Sequence, residues 1–180
     1  RFHPEAMEFA RLDLQTPRSS LHNFFALRYR TFTDFEQFIS KVKLEGDFNN
    51  AELSSDDIAY FAPALRDLKK KIRVDGLIKG TVDHLESKNL VIEAGNSTYL
   101  NGNIRMTGLP DINRTYIDFA ANNFRTTYAD AVAIIPELKK ISMPRIDLLQ
   151  YLRFKGNFTG FINDFVTYGT INTNLGTIRR

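Results

Sequence analysis

The chain has 180 residues, of which 43% are hydrophobic and 25% are charged, and its formal net charge is +3. This composition is typical of a globular protein, and the length allows one domain or one section of a longer repetitive protein. The weak positive charge disfavours nucleic-acid binding, and the absence of cysteine excludes disulfides, thiol chemistry and thiolate metal sites.

The first fifty residues contain three predicted strands and one short helix. Met7–Leu14 and Phe24–Tyr29 alternate between apolar and polar residues, and a turn at Thr16–Ser20 separates them. The apolar residues of Phe32–Ile39 follow helical spacing, which predicts a short helix. Val42–Phe48 alternates again and predicts the third strand.

A second predicted helix begins after residue 54 and runs to about residue 70. Ser54 and Asp57 carry side-chain oxygens that can cap its free backbone N–H groups. Asp56 and Asp57 together also allow a metal pair, although their place before a helix favours capping. Lys69–Lys71 suits the negative end of the helix dipole, with a lipid-headgroup site as the alternative.

The stretch Arg73–Gly108 has the clearest pattern of the chain. Val74–Val82 and Leu100–Gly108 alternate almost without error, so each predicts a strand with one dry face and one wet face. Turn-forming residues at Asp83–Asn89 and Gly95–Thr98 separate these runs from Leu90–Ala94. The simplest interpretation is a meander of antiparallel strands.

The remaining segment repeats this order of elements. Ile117 and Phe119 predict a strand, and Phe124–Tyr128 predicts a short one. Asp130–Ile141 has one apolar face and predicts a helix with Asp130 as a cap, followed by a short helix at Ile146–Leu152. Three last strands are predicted, at Leu152–Ile162, Phe165–Thr173 and Leu175–Arg179.

Two glycine pairs indicate an internal repeat. Gly76 and Gly80 recur as Gly156 and Gly160 among the same apolar and charged neighbours, and Asp57 and Pro63 upstream recur as Asp130 and Pro136. We therefore expect two strand–helix–meander units, at about 42–108 and 115–180, in an elongated, stacked architecture. The glycines suit a curved strand, a bulge, or a close approach of another group to the backbone.

Four segments resemble one family. They are Leu44–Ser54, Asp57–Pro63, Val74–Gly80 and Phe154–Phe161, and their pattern is similar to that of TamB-type proteins of the AsmA-like superfamily, in the form seen in Bacteroidota. The similarity covers most of residues 20–180. It carries glycines, apolar alternation and turns, and it brings no catalytic motif.

The resemblance implies a long periplasmic protein that is anchored in the inner membrane by an N-terminal helix outside this segment. It also implies β-sheet grooves with hydrophobic interiors and a role in outer-membrane biogenesis. That role is either phospholipid transfer between the membranes or assistance to outer-membrane proteins, as in a translocation and assembly module. Because the chain starts at Arg1 without Met and ends at Arg180, we expect both ends to be cuts inside a longer protein.

The sequence offers little chemistry for an enzyme. No phosphate-binding glycine loop occurs, and His3, His22 and His84 are far apart and outside any metal-ligand spacing. Ser19–Ser20 and Ser54–Ser55 lack the context of a nucleophile elbow. We therefore expect a non-enzymatic protein without cofactor or metal.

The apolar sheet face is the candidate functional site. Its predicted residues are Val74, Ile78, Val82, Ile104, Met106, Phe154, Phe158 and Ile162. They line either an open groove for acyl chains or a closed core covered by the helices at 55–70 and 130–141. The alternative function is a scaffold whose strand edges bind extended β segments of outer-membrane proteins. A third option is an extracellular adhesin or carbohydrate-binding β domain, although the chain has no Trp.

Overall fold

The computed structural model describes residues 2–16, 18–58, 71–142 and 145–180. These residues form one antiparallel sheet of eleven strands, in which the spatial order follows the chain order. The strands are β1 (Phe2–His3), β2 (Ala6–Gln15), β3 (Ser20–Arg28), β4 (Lys43–Ser54), β5 (Lys71–Thr81), β6 (His84–Ala94), β7 (Thr98–Thr107), β8 (Tyr116–Thr126), β9 (Leu152–Phe161), β10 (Asp164–Thr173) and β11 (Gly176–Arg179). The predicted class, mainly β and antiparallel with short helices, is confirmed.

The helices of the described residues are short and lie between strands. They are α1 (Phe38–Lys41), α2 (Ser55–Ile58) and α3 (Tyr128–Ile134). Short 3-10 helices lie at Phe32–Gln37, Ile112–Arg114, Pro136–Lys140 and Ile146–Leu148. Of the helix predicted after residue 54, only α2 falls in the described residues, and 59–70 lie outside them.

The helix predicted over Asp130–Ile141 is shorter than expected. It begins two residues earlier, at Tyr128, and ends at Ile134. Ile135 has φ −128° and ψ 86°, outside the helical region, because proline at the next position disfavours helical backbone. Pro136 then begins a separate 3-10 turn. Pro136 is therefore a sequence signal for the end of this helix, although the apolar periodicity continues to Ile141.

The turn predicted over Asp83–Asn89 is wrong, because β6 already begins at His84. The pairing of β6 with β7 shifts between Ser87 and Leu90, and Asn89 has a positive φ of 53°. This bulge breaks the apolar alternation. Ser87 is buried on the core side, where its hydroxyl donates to the Leu77 carbonyl over 2.6 Å. A polar residue therefore occupies a place where the pattern required an apolar one.

The strand register arranges one face of the sheet in rows. The Val74 row crosses from β5 to β11 and consists of Val74, Ile92, Leu100, Phe124, Phe154, Ile171 and Ile178. The Ile78 row consists of Ile78, Ser87, Ile104, Phe119, Phe158 and Thr167. Between them lies a small-residue row of Gly102, Ala121, Gly156 and Gly169. Side chains two apart on a strand share a face, so these rows form a single surface.

β-Bulges lie along the line between the two large rows. Register shifts fall between Phe48 and Ala51 on β4, and between Ala121 and Phe124 on β8. At the bulge of β4, Asn50 has φ 52° and donates its N–H to Asp75 over 2.5 Å. A bulge bends its strand and increases the local twist. Bulges therefore lie at one level of the alternate strands β4, β6 and β8, and each of them bends its strand at that level.

The buried core belongs to this same face. One cluster contains Ile72, Val74, Leu90 and Ala94, and the other contains Phe119, Ala121 and Phe154. Leu100 and Ile104 pack against both clusters, so the two are continuous. Ile134 of α3 packs against the first cluster and is the point where this helix meets the core.

Candidate functional site

Six of the eight predicted site residues lie on strands of the apolar face. Val74 and Phe154 belong to the Val74 row, whereas Ile78, Ile104 and Phe158 belong to the Ile78 row. Met106 lies two residues beyond Ile104 on β7. The strand placement of the other two was wrong, because Val82 and Ile162 lie in two-residue turns after β5 and β9.

The burial of this face decreases toward the last strands. Val74 and Phe154 are 6% and 8% exposed, and Ile78, Ile104, Met106 and Phe158 are half-buried. Phe165 of β10 stacks on Phe158 with 4.8 Å between ring centroids, yet it is 51% exposed. The site prediction missed Phe165 because its place opposite Gly160 follows from the register of β9 and β10.

An aromatic cluster packs near one end of the sheet, between β3 and β4. Tyr29 lies 5.0 Å from Phe35, and Phe35 lies 5.2 Å from Phe32, measured between ring centroids. The Ile39 carbonyl of α1 accepts the N–H of Asp83 in the β5–β6 turn. These contacts attach the β3–β4 connection to the sheet.

The carboxylate of Asp130 binds the β6–β7 turn. It accepts the backbone N–H groups of Asn96, Ser97 and Thr98 at 3.0, 2.7 and 3.2 Å, and the Ser97 hydroxyl at 3.0 Å. The predicted capping role is wrong, since the Thr127 side chain caps α3 by accepting the N–H of Asp130. Asp130 is buried, and its function is to fasten the helix to a turn.

Asp57 occupies a related place in α2 and is also not a cap. It accepts the hydroxyl of Ser19 in the β2–β3 turn, and Ser19 Oγ in turn accepts the N–H of Ser54 over 2.9 Å. Ser54 is the last residue of β4, and its hydroxyl accepts the N–H of Asp56 over 3.3 Å. Asp56 pairs with Arg18 at 2.7 Å, so each member of the suggested metal pair has a protein partner.

The groupings needed for metal chemistry do not occur in the part of the chain that the structure describes, where no three His, Asp or Glu residues are close enough to hold an ion. His22 lies 3.1 Å from Asp13 near the β2–β3 turn, and His84 lies 3.3 Å from Asp83 at the β5–β6 turn. These turns are at opposite edges of the sheet along the strand direction. The two histidines are therefore not brought together.

The opposite face of the sheet, here called the outer face, carries charges in register. The Glu45 row consists of Glu45, Lys79, Glu86, Arg105 and Asp118, which alternate in sign across β4 to β8. Glu45 lies 2.7 Å from Arg28 and 3.5 Å from Lys79. The Arg28 hydrogen bond lowers the pKa of Glu45 below its ordinary value of 4.5. Opposite charges on adjacent strands stabilise the pairing.

Replacing Glu45 with glutamine should lower the free energy of unfolding by about 1 kcal/mol at pH 7, because Arg28 loses a charged partner. A carboxylate whose pKa is lowered by folding stabilises above its ordinary pKa, and it loses this effect as the pH falls through the lowered value. The difference between Glu45→Gln and wild type should therefore begin to shrink as the pH falls below 4.5, and it should vanish only below the lowered pKa of the folded state. Urea unfolding at several pH values measures it.

The control for this prediction is Glu86→Gln. Glu86 is more exposed than Glu45 and lies 3.9 Å from Arg105, so its loss should cost less than about 0.5 kcal/mol. Equal, pH-independent losses in both variants would contradict the role given to the Arg28 pair.

Comparison with known proteins identifies no relative of this chain. No protein-family profile matches the chain, and neither curated proteins nor solved structures include a match. Among the described residues, none of the helices combines the length and apolar character needed to cross a bilayer.

Proposed function

We propose that this chain is a non-enzymatic section of a periplasmic AsmA- or TamB-like protein, part of a parent anchored to the inner membrane, in outer-membrane biogenesis. Its apolar sheet face would hold the acyl chains of phospholipids during transfer between the membranes. The observation that carries the proposal is the apolar face itself. It continues in register from β5 to β11, and no second sheet packs on it within the described residues.

The small-residue row supports an acyl-chain groove. On β9, Phe154 and Phe158 stand four residues apart, about 13 Å along the strand, with Gly156 between them. Two ridges made mostly of large apolar side chains thus flank a floor of glycine and alanine. Such a trough suits an extended hydrocarbon chain that lies across the strands.

The accessible surface supports an open and elongated shape. The chain exposes 11425 Å², whereas a compact globular protein of 20.7 kDa exposes about 8,900 Å². Large apolar side chains contribute to this surface on the last strands, where Phe165 and Ile178 are 51% and 65% exposed on the apolar face. Apolar surface of this kind is typical of binding sites.

Two repeated units, 42–108 and 115–180, are part of the proposal. Support comes from β4 and β8, whose bulges lie at Asn49–Asn50 and Asn122–Asn123 and are each followed by a short helix with an aspartate that accepts from an earlier turn. The strands that follow, β5 and β9, carry paired glycines with positive φ. A repeat of this kind would extend the groove from one unit to the next.

The groove predicts that a charge on the apolar face prevents lipid binding. Phe165 and Val166 are neighbours with 51% and 47% exposure, and they lie on opposite faces of β10, since Phe165 pairs with Gly160 and Val166 with Thr159. Phe165→Glu should reduce phospholipid that copurifies with the protein at least about tenfold, because a carboxylate in an acyl-chain site is costly. Mass spectrometry after organic extraction measures the lipid.

The control variant Val166→Glu introduces the same charge at a similar exposure on the outer face, and it should retain the lipid. Loss of lipid in both variants, or in neither, would contradict a groove on the apolar face. Circular dichroism of both variants checks that the sheet is intact.

A second candidate function is a scaffold that pairs with extended β segments of outer-membrane proteins. The edge of the sheet favours it, because β11 has only four residues and all of them are exposed. An exposed edge strand offers unpaired N–H and C=O groups to another strand. Titration with β-signal peptides tests this function. Saturable binding that Phe165→Glu leaves unchanged would favour the scaffold, and no binding at high peptide concentration would exclude it.

A further inference from the structure

The charge alternation of the outer face breaks at one place. A second charged row runs in register through Glu52, Arg73, Glu93, Tyr99, Arg125 and Arg153. Its first half is paired, since Arg73 lies 3.1 Å from Glu93 and 3.7 Å from Glu52. Its second half places two arginines directly opposite each other on β8 and β9.

Like charges in this position destabilise a strand pair. The Cα atoms of directly opposite residues are about 4.5–5.5 Å apart, and arginine does not lose its charge in proteins. Lys155 adds a third cation, because it is two residues from Arg153 and so shares its face. Among the described residues, no carboxylate lies within 4.0 Å of these three cations.

Aromatic rings hold both guanidinium groups. Arg125 Cζ lies 5.1 Å from the ring centroid of Tyr99, and Arg153 Cζ lies 5.6 Å from that of Tyr151. Such contacts stabilise a guanidinium group above the face of an aromatic ring. They do not use the N–H donors of the guanidinium, which can still bind an anion. Arg125 also lines a depression of about 260 Å³ that runs past Glu93 toward the β6–β7 turn, whereas Arg153 and Lys155 lie outside it and are exposed on the strand surface.

We propose that Arg125, Arg153 and Lys155 form a binding site for a phosphate-type oxyanion on the outer face of the sheet. Arg125 and Arg153 are directly opposite residues of neighbouring strands, so both guanidinium groups can donate paired N–H groups to the oxygens of one phosphate. The anion would also remove the repulsion between the arginines. Free phosphate and the headgroup of a phospholipid share this chemistry, and the site lies on the face opposite the acyl-chain groove.

The test compares phosphate binding by wild type and by the double variant Arg125→Gln/Arg153→Gln. NMR titration with inorganic phosphate, against chloride at equal ionic strength, should show binding by wild type and at least tenfold weaker binding by the double variant. The matched control is Arg105→Gln, which removes an arginine that lies between Glu86 and Asp118 and should leave the affinity unchanged.

Vesicles distinguish the two sources of the anion. Cosedimentation with phosphatidylglycerol vesicles but not with phosphatidylcholine vesicles, lost in the double variant, assigns the site to a headgroup. Binding of inorganic phosphate without binding to vesicles assigns it to free phosphate. The site is overturned if wild type, the double variant and Arg105→Gln behave alike in both assays. Lys155→Gln gives an independent check, with an expected severalfold loss, if the double variant does not fold.

Discussion

The variant Gly156→Ala is expected to lose about 4 kcal/mol of unfolding free energy, a large effect for a single added methyl group. Gly156 has φ +145°, a backbone conformation that L residues rarely adopt. A Cβ atom there would lie 2.0 Å from the Tyr168 carbonyl oxygen and 2.7 Å from Gly169 Cα. These are backbone atoms of the paired strand, so they cannot move without disturbing the register of β9 and β10.

The control for Gly156 is Gly176, which separates backbone strain from close approach. Gly176 has a similar φ of +139°, but no atom lies within 4 Å of the position of its Cβ. Gly176→Ala should therefore cost only the strain, about 1 kcal/mol. Urea denaturation followed by circular dichroism measures both variants. Equal losses would show that the contact between β9 and β10 at this point is not close.

The variant Asp130→Ala is expected to lose about 3 kcal/mol. The carboxylate is the acceptor for three consecutive N–H groups of the β6–β7 turn through part-buried hydrogen bonds, and its removal takes this acceptor from all three. Each such group costs about 1–3 kcal/mol when it is left unpaired, partly offset where water enters. Asp130→Asn keeps one carbonyl oxygen and should lose less.

Hydrogen exchange locates the effect of Asp130. The amides of Asn96, Ser97 and Thr98 should exchange faster in Asp130→Ala, whereas amides in the centre of β9 should change only through global stability. Asp164→Ala, which removes an exposed carboxylate at the start of β10, should stay within about 0.5 kcal/mol of wild type. An Asp130→Ala variant as stable as this control would contradict the fastening role.

The alternation of apolar residues was sufficient to predict most of the strands. It located β5, β7 and β9 to within a few residues, because each keeps its period of two over a long run. It failed where a bulge changes the period. In β6 the bulge at Asn89 and the buried Ser87 interrupt the alternation, so the sequence predicts a turn where the first half of that strand lies.

Features that depend on how neighbouring strands are aligned could not be predicted from the sequence. The hydrogen bonds of Asp130 join it to residues 32 to 34 positions earlier in the chain. The local sequence does not show these partners, so it predicts only a helix cap at Asp130. The opposition of Arg125 and Arg153 likewise exists only once β8 and β9 are aligned. The small-residue row follows from the same alignment of Gly102, Ala121 and Gly156.

The most direct measurement of the groove uses a photo-crosslinking amino acid at Phe158, with Thr159 as the neighbouring control on the outer face. Phe158 pairs with Phe119 on the apolar face, and Thr159 pairs with Asp118. A groove that holds acyl chains predicts phospholipid adducts at position 158 and none at position 159 after irradiation in cells. Adducts at position 158 that contain only protein would contradict it and would identify this face as a closed core.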